Sequence, residues 1–300
     1  MGRQSWLTER FEENRPRLRG VAYRMLGSLS EAEDAVQEAW LRLNGIDAAT
    51  IENLGGWLTT VVSRVCLDML RGRQLRREET LDGQDTEPAV VRGQGTDPEG
   101  EALLADSVGV ALLVVLDTLT PAERLVFVLH DLFGLPFTEI GPIVGRSPAA
   151  AKQLASRARR RVRGSTVPSD ADKARQREVV EAFLRATREG DLEGLLAVLD
   201  PDAVLRIDAA SRTHAPAAEA GRARELRGAS TWAAQLIALS RGRGRQFVEP
   251  ALIDGSVGLV FAPRGKLFRA LTFTFTNAAI ARVEVIGDPA RLRDLDIAVL

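Results

Sequence analysis

Apolar residues recur at helical spacing through the first half of the chain and alternate in much of the last third. In residues 6–77, Phe11, Leu18, Val21, Ala22 and Met25 fall on a helical stripe. Ser30 followed by Glu31, Glu33 and Asp34 predicts a helix start, because a serine oxygen and nearby carboxylates complement the free N–H groups of a first turn. That helix carries Ala35, Val36, Ala39, Trp40 and Leu43 and stops near Asn44 and Gly45. A loop over 46–56 leads to a third helix bearing Trp57, Leu58, Val61, Val62, Val65, Leu67 and Leu70. Residues 80–101 are rich in glycine, proline and acid without a period, the composition of a solvated linker. A second helical block covers 102–163, and 166–172 reads as a shorter linker.

Beyond residue 173 the period changes. Helical stretches are expected at 179–189, 192–199 and 232–239, and strands at 203–207, 247–253, 257–261, 267–276 and 279–286. Leu271, Phe273 and Phe275 alternate with Thr272, Thr274 and Thr276, the pattern of a half-buried strand. The expected fold class is therefore multidomain: two all-α domains, then one α+β domain.

Residues 119–162 hold the most informative local chemistry. Thr120, Pro121 and Glu123 form a capped helix start, with proline at the first helical position and glutamate in the capping-box position. Gly134 and Pro136 break that helix, a short helix follows at 138–144, and 145–147 make a turn. Ser147 caps a last helix that starts at Pro148. Ala151, Leu154, Ala155, Ala158 and Val162 give it an apolar face. Ala149, Lys152, Gln153, Ser156, Arg157 and Arg160 lie on the opposite side. This is helix-turn-helix spacing, with small side chains for close approach and donors for base edges. The competing reading is an ordinary three-helix bundle with a solvated basic face.

Charge sharpens the choice. The net charge of −1 hides strong segregation. Residues 146–163 carry Arg146, Lys152, Arg157, Arg159, Arg160, Arg161 and Arg163 and no acid; 71–77 carry four arginines and no acid; 78–106 carry nine acids against Arg92 alone. Local basic faces bind phosphate whatever the total. A chain of 300 residues, 45% of them apolar, suits two or three domains. The single cysteine, Cys66, allows no intrachain disulfide and fits a reducing cytoplasm. One cysteine and two histidines make no metal cluster, and no apolar run is long enough for a membrane span. The polar first residues, 1–13, argue against a secretory signal.

Leu119-Thr-Pro-Ala-Glu-Arg124, Thr138-Glu-Ile140, Ser147-Pro148, Lys152 and Arg157-Ala-Arg-Arg-Arg161 resemble domain 4 of the extracytoplasmic-function sigma factors of the sigma-70 family. Independently, Tyr23-Arg-Met-Leu26 and 32–42 resemble the polymerase-binding helix of sigma domain 2, and 57–62, 66–68 and Arg71 resemble its −10-element helix. The resemblance covers about half of the chain. It implies a factor that binds the beta and beta-prime subunits of core RNA polymerase and directs transcription from promoter DNA. Domain 2 would span 1–77, an acidic linker 78–105 and domain 4 106–165. Core contacts would come from Glu33, Asp34, Gln37, Glu38, Trp40 and Arg42, and −35 contacts from Ser147, Ala149, Lys152, Gln153, Ser156, Arg157 and Arg160. The −10 contacts would come from Asn53, Arg64 and Arg71, although Glu52 and Gly55 stand where the family carries basic residues.

Residues 173–300 resemble the SnoaL-like, ketosteroid-isomerase-like cone that extends some of these factors. The resemblance implies control in cis, with no separate anti-sigma factor, and a regulatory role for Asp208, Arg212, Asp288, Pro289 and Leu292. Glu87-Pro88 in the linker is the remnant of a further motif of that group. Removal of 173–300 is expected to change transcription while leaving promoter recognition in place. Proton-transfer chemistry would need a buried acid–base pair, for which Asp202, Asp208, His214 and Glu249 are the candidates. Asp208 reads better as a bridging or docking group, so catalysis is not expected and no cofactor is implied. A small-molecule ligand in a pocket lined by Trp232, Phe261 and Phe273 competes with a core role for those rings. The rival overall function is a helix-turn-helix regulator with a ligand-sensing or catalytic cone.

Overall fold

The computed structural model describes residues 3–46, 51–79, 109–163, 170–211, 223–240, 247–276 and 278–300. These fall into two compact units. The first holds the described residues up to 79 together with Leu116–Arg161; the second holds 109–115 and everything from Val162 onward.

In the first unit, α1 (Arg3–Leu26), α2 (Leu29–Asn44) and α3 (Leu54–Glu79) form a bundle. Leu18, Val21, Met25, Ala32, Val36, Ala39, Leu43, Leu58, Val62 and Cys66 are buried in it, as the helical stripes require. Two boundaries differ from the sequence reading. The cap of α2 is Ser28, whose oxygen accepts from the Glu31 N–H, and Ser30 lies inside the first turn. Helix α3 begins at Leu54 because Asn53 Oδ1 accepts from Gly56 N–H at 2.9 Å. The loop before it is thereby shorter than 46–56.

Helix α4 (Val110–Asp117) leads to α5 (Pro121–Phe127), which continues as a single π-helical turn over Val128–Leu132. The capping box forms as expected: Glu123 N–H donates to Thr120 Oγ1, and Glu123 Oε2 accepts from Thr120 N–H at 3.1 Å. Helix α6 (Phe137–Val144) ends in Gly145, whose φ of 68° is the left-handed cap that glycine adopts without strain. Helix α7 (Pro148–Arg163) follows, with Ala150 N–H donating to Ser147 Oγ at 3.2 Å.

The second unit begins with α8 (Asp170–Glu189) and α9 (Leu192–Ala197). Next come β1 (Leu199–Ile207), β2 (Arg224–Arg227), α10 (Ala229–Ser240), β3 (Val248–Ile253), β4 (Ser256–Phe261), β5 (Arg269–Thr276), β6 (Ala279–Ile286), α11 (Pro289–Asp294) and β7 (Ile297–Ala298). One sheet runs in the order β2-β1-β6-β5-β4-β3-β7, with β1 parallel to β6 and the other neighbours antiparallel. The sheet is thus mixed, and the chain's later strands alone form the meander. Its first face meets α8, α9 and α10 over Phe183, Leu195, Leu205, Trp232, Leu259, Phe273 and Val283. Its second face presents Ala251, Ile253, Val260, Ala270, Ile286 and Ile297, and onto these pack Val110, Ala111, Val114 and Val115 of α4. The α+β domain expected from the sequence thus forms, with helices on both faces of one sheet. β2 and β7 went unread because one is Arg-Glu-Leu-Arg and the other only two residues long.

Candidate nucleic-acid and polymerase interfaces

Helix α7 sorts its side chains by solvent. Ala151, Ala155 and Ala158 are buried, whereas Ser147, Ala149, Lys152, Gln153, Ser156, Arg157 and Arg160 are exposed. The sequence-expected reading face is therefore one continuous surface. Close seating of α7 on α6 depends on Gly141: a Cβ there would lie 2.8 Å from Arg146 O and 3.3 Å from Pro148 N. Not every arginine of α7 faces outward to DNA. Arg159 Nε donates to Asp131 at 2.5 Å and Arg161 to Glu123 at 3.0 Å, so these two tie α7 to α5 and its π-helical turn. Of the seven basic residues of 146–163 this leaves five for phosphate. If all five neutralise phosphates, log K should fall with log salt at a slope near about −4.5. Lys152→Ala or Arg157→Ala should weaken promoter binding by ~1–3 kcal/mol if the lost contact is to a base edge. Gel-shift titrations over a set of −35 sequences separate the cases, because a uniform loss across sequences marks a phosphate contact.

The −10 candidates are less uniform. Arg71 is exposed, within 3.8 Å of Asp68. Arg64 is exposed and reaches Pro142 O at 3.5 Å. Asn53 is exposed at the loop end, and its Oδ1 accepts from Gly56 N–H as the α3 cap. Residues 47–50 of the loop lie outside the described residues.

On α2 the acidic face is partly neutralised from within. Glu33 pairs with Arg15 and Arg19, Glu31 with Arg73, and Glu38 with Arg42 at 2.9 Å. Trp40 is half-buried, its ring 4.8 Å from Phe11, so it serves the bundle more than an outer contact. Asp34 and Gln37 are exposed on α2 outside these pairs, with Leu41, which is 58% exposed, one further turn along. Leu41 was missed from sequence; its signal is a large apolar side chain at i+7 from Asp34, on the polar side of an otherwise amphipathic helix.

In the cone, Asp208 joins the two loops singled out in the sequence. Its Oδ1 accepts from Ser211 N–H at 2.7 Å and its Oδ2 from Gly287 and Asp288 N–H at 2.7 and 2.9 Å. Burial pushes its carboxyl up, but the hydrogen bonds from Ser211, Gly287 and Asp288 outweigh that and hold it below the ordinary carboxylate range. Both oxygens are thus engaged inside the domain, bridging the two loops. Asp288 caps α11 through Ala290 and Arg291 N–H, and Leu292 packs toward the second face of the sheet. Pro289 is exposed, and Arg212 lies outside the described residues. Among the described residues the acid–base candidates form no pair: Asp202 is exposed and Glu249 Oε2 accepts from Ala111 N–H at 3.1 Å; His214 lies outside the described residues. Trp232 is fully buried and donates to Ala203 O, and Phe273 packs edge-on against Phe183, so both belong to the core; Phe261 is half-buried against Phe268. Among the described residues no cluster is suited to a metal, and no helix is long and apolar enough to cross a membrane.

A three-helix bundle followed by a capped helix-turn-helix with a basic outer face defines a sigma-70 type of chain, and two family profiles agree. Sigma-70 region 2 matches residues 10–76 and Sigma-70 region 4 matches residues 109–162. The ECF RNA polymerase sigma factor SigJ of Mycobacterium tuberculosis (strain ATCC 25618 / H37Rv) is 39% identical over 253 residues, covering 83% of this chain and 78% of that protein. The probable ECF RNA polymerase sigma factor SigI of Mycobacterium tuberculosis (strain CDC 1551 / Oshkosh) is 41% identical over 189 residues. That match covers 63% of this chain and 65% of SigI, so it spans just under two thirds of that relative. A crystal structure of Mycobacterium tuberculosis SigJ, 32% identical, covers 95% of this chain and 98% of its own, with a TM-score of 0.45. The chain belongs to the ECF RNA polymerase sigma factors.

Proposed function

We propose that this protein binds core RNA polymerase and directs promoter-specific transcription initiation in the cytoplasm, with its C-terminal cone modulating activity in cis. One observation carries the reading. Lys152, Gln153, Ser156, Arg157 and Arg160 stand exposed together on the second helix of a helix-turn-helix, in a chain whose α2 offers Asp34, Gln37 and Leu41. Residues 1–77 then act as domain 2, 78–105 as linker, 106–165 as domain 4 and 173–300 as the regulatory cone. Arg64 and Arg71 serve the −10 element. The cone acts by contact, without catalysis, and Arg212 and Pro289 are its candidate regulatory contacts. Asp208, Asp288 and Leu292 support that corner of the domain.

Run-off transcription with core polymerase and a promoter library tests the proposal. Promoter-dependent transcripts are expected from the full chain. Asp34→Arg should abolish core binding with the thermal melt unchanged, since Asp34 is exposed and makes no ion pair among the described residues. DNA binding without transcripts from any promoter would instead mark a regulator that never engages polymerase.

A further inference from the structure

Helix α7 turns by about 100° per residue, so Arg159, which follows Lys152 by two turns, falls within ~20° of it around the axis. Arg161 follows Arg157 by one turn and falls ~40° from it. By position both guanidiniums border the face that meets DNA, yet neither is offered to it. Arg159 Nε donates to Asp131 Oδ1 at 2.5 Å, and Arg161 Nη1 donates to Glu123 Oε2 at 3.0 Å. Arg146, Lys152, Arg157 and Arg160 make no ion pair among the described residues. Both carboxylates are held in place. The Glu123 side chain is 7% exposed and also accepts from Thr120 N–H and Thr120 Oγ1. The Asp131 side chain is 20% exposed and stands on the π-helical turn. Phe133 N–H on Val128 O and Leu135 N–H on Leu129 O close the backbone of that turn. His130 braces it further: its ring lies 3.9 Å from that of Phe137, and its Nδ1 is 2.8 Å from Leu135 O. Turns of this kind recur at functional sites.

A phosphate approaching Arg159 must displace a carboxylate that is already in contact and is carried by the same fold, and so acts at high effective concentration. Drawing Arg159 away would also leave Asp131 largely covered and without its donor. We propose that Asp131 is a positioning residue that stands in for a DNA phosphate: it holds Arg159 back from the duplex and lowers the part of the affinity that every sequence shares. Glu123 does the same for Arg161 at the other border of the face. Each contact withheld flattens the fall of log K with log salt by ~0.9. Base-directed side chains such as Lys152 and Gln153 then supply a larger share of the binding, and the free factor is held less by bulk DNA. This rests on the reading of α7 as a DNA-binding helix.

The test is fluorescence anisotropy of the full-length protein over a salt series, with two duplexes of equal length, one selected from a promoter library and one scrambled. Asp131→Asn should steepen the slope from about −4.5 to about −5.4 and raise affinity for both duplexes, by up to about eightfold at ~0.1 M salt. Arg159→Gln should leave the wild-type slope unchanged, because that arginine touches no phosphate while Asp131 holds it. The double variant Asp131→Asn/Arg159→Gln should lose the whole gain. If the pair only braced α7, Asp131→Asn and Arg159→Gln would behave alike, both weakening binding without a steeper slope, and that result overturns the proposal. A second measurement needs no change at Asp131. The Arg159 Nε–H NMR signal, assigned by its loss in Arg159→Gln, should stay in place when duplex is added, whereas those of Arg157 and Arg160 move. A shift of the Arg159 signal to match theirs overturns the proposal even if Asp131→Asn does not fold. Absence of duplex binding by every form removes the DNA-binding reading together with the proposal; wild-type binding with equal slopes in all forms removes the proposal alone.

Discussion

A chain ending at Val167 is expected to lose stability in its DNA-reading domain as well as its cone. Val110, Ala111, Val114 and Val115 of α4 are buried, and what covers them is Ala251, Ile253, Val260, Ala270 and Ile286 of the cone's sheet. Glu249 of β3 also accepts the Ala111 N–H, placing a carboxylate at the positive end of that helix. Stripping the cover exposes three valines and an alanine, at ~1.5–3 kcal/mol for each valine, so on the order of 5 kcal/mol in all. A folded domain commonly has only 5–15 kcal/mol to lose. The truncated chain should therefore melt at lower temperature, expose apolar surface and bind −35 duplex more weakly than the full chain. This replaces the expectation from sequence that promoter recognition survives removal of residues 173–300. Equal affinity and an unchanged melt for the two chains would show that α4 holds its place without the sheet.

Trp232→Ala should be the most damaging single change in the cone. The indole is completely buried, packs among Phe183, Leu205, Leu259 and Val283, and donates to Ala203 O at 3.0 Å. Large-to-small truncation of a buried aromatic costs ~3–5 kcal/mol, and here a carbonyl also loses its donor. Chemical denaturation of the cone reads the loss directly. If the surrounding side chains hold their positions, an apolar cavity remains, and added indole should restore part of the stability, as small apolar ligands do in other engineered cavities. A loss below ~1 kcal/mol would mean that Trp232 is not a keystone of this core.

What was legible in the sequence was local. The Thr120–Glu123 capping box, the Ser147 cap and the buried Ala151–Ala155–Ala158 stripe depend on spacings of three to four residues, and all three formed. The alternation of Leu271, Phe273 and Phe275 likewise placed β5. What was not legible needed partners far along the chain. Glu33 looked like a free acidic contact until Arg15 and Arg19 of α1 met it, and Arg159 looked like a phosphate ligand until Asp131 paired with it across 28 residues. The cover on Val114 and Val115 comes from strands more than a hundred residues later, which no local period can announce. Asp208 shows the same limit: its three N–H donors come from Ser211, Gly287 and Asp288, and only folding brings the last two to it.

Gly141 carries the last consequence. Because α7 rests against a position with no side chain, the tilt of the reading helix is set by backbone meeting backbone near Arg146 and Pro148, and the identities of Lys152, Gln153 and Arg157 play no part in it. The frame and the letters it reads are thus separable in heredity. New promoter preferences can arise by exchanging exposed residues of α7 one at a time, each variant inheriting an unchanged approach to the groove, whereas a mutation at Gly141 alters the approach for every letter together.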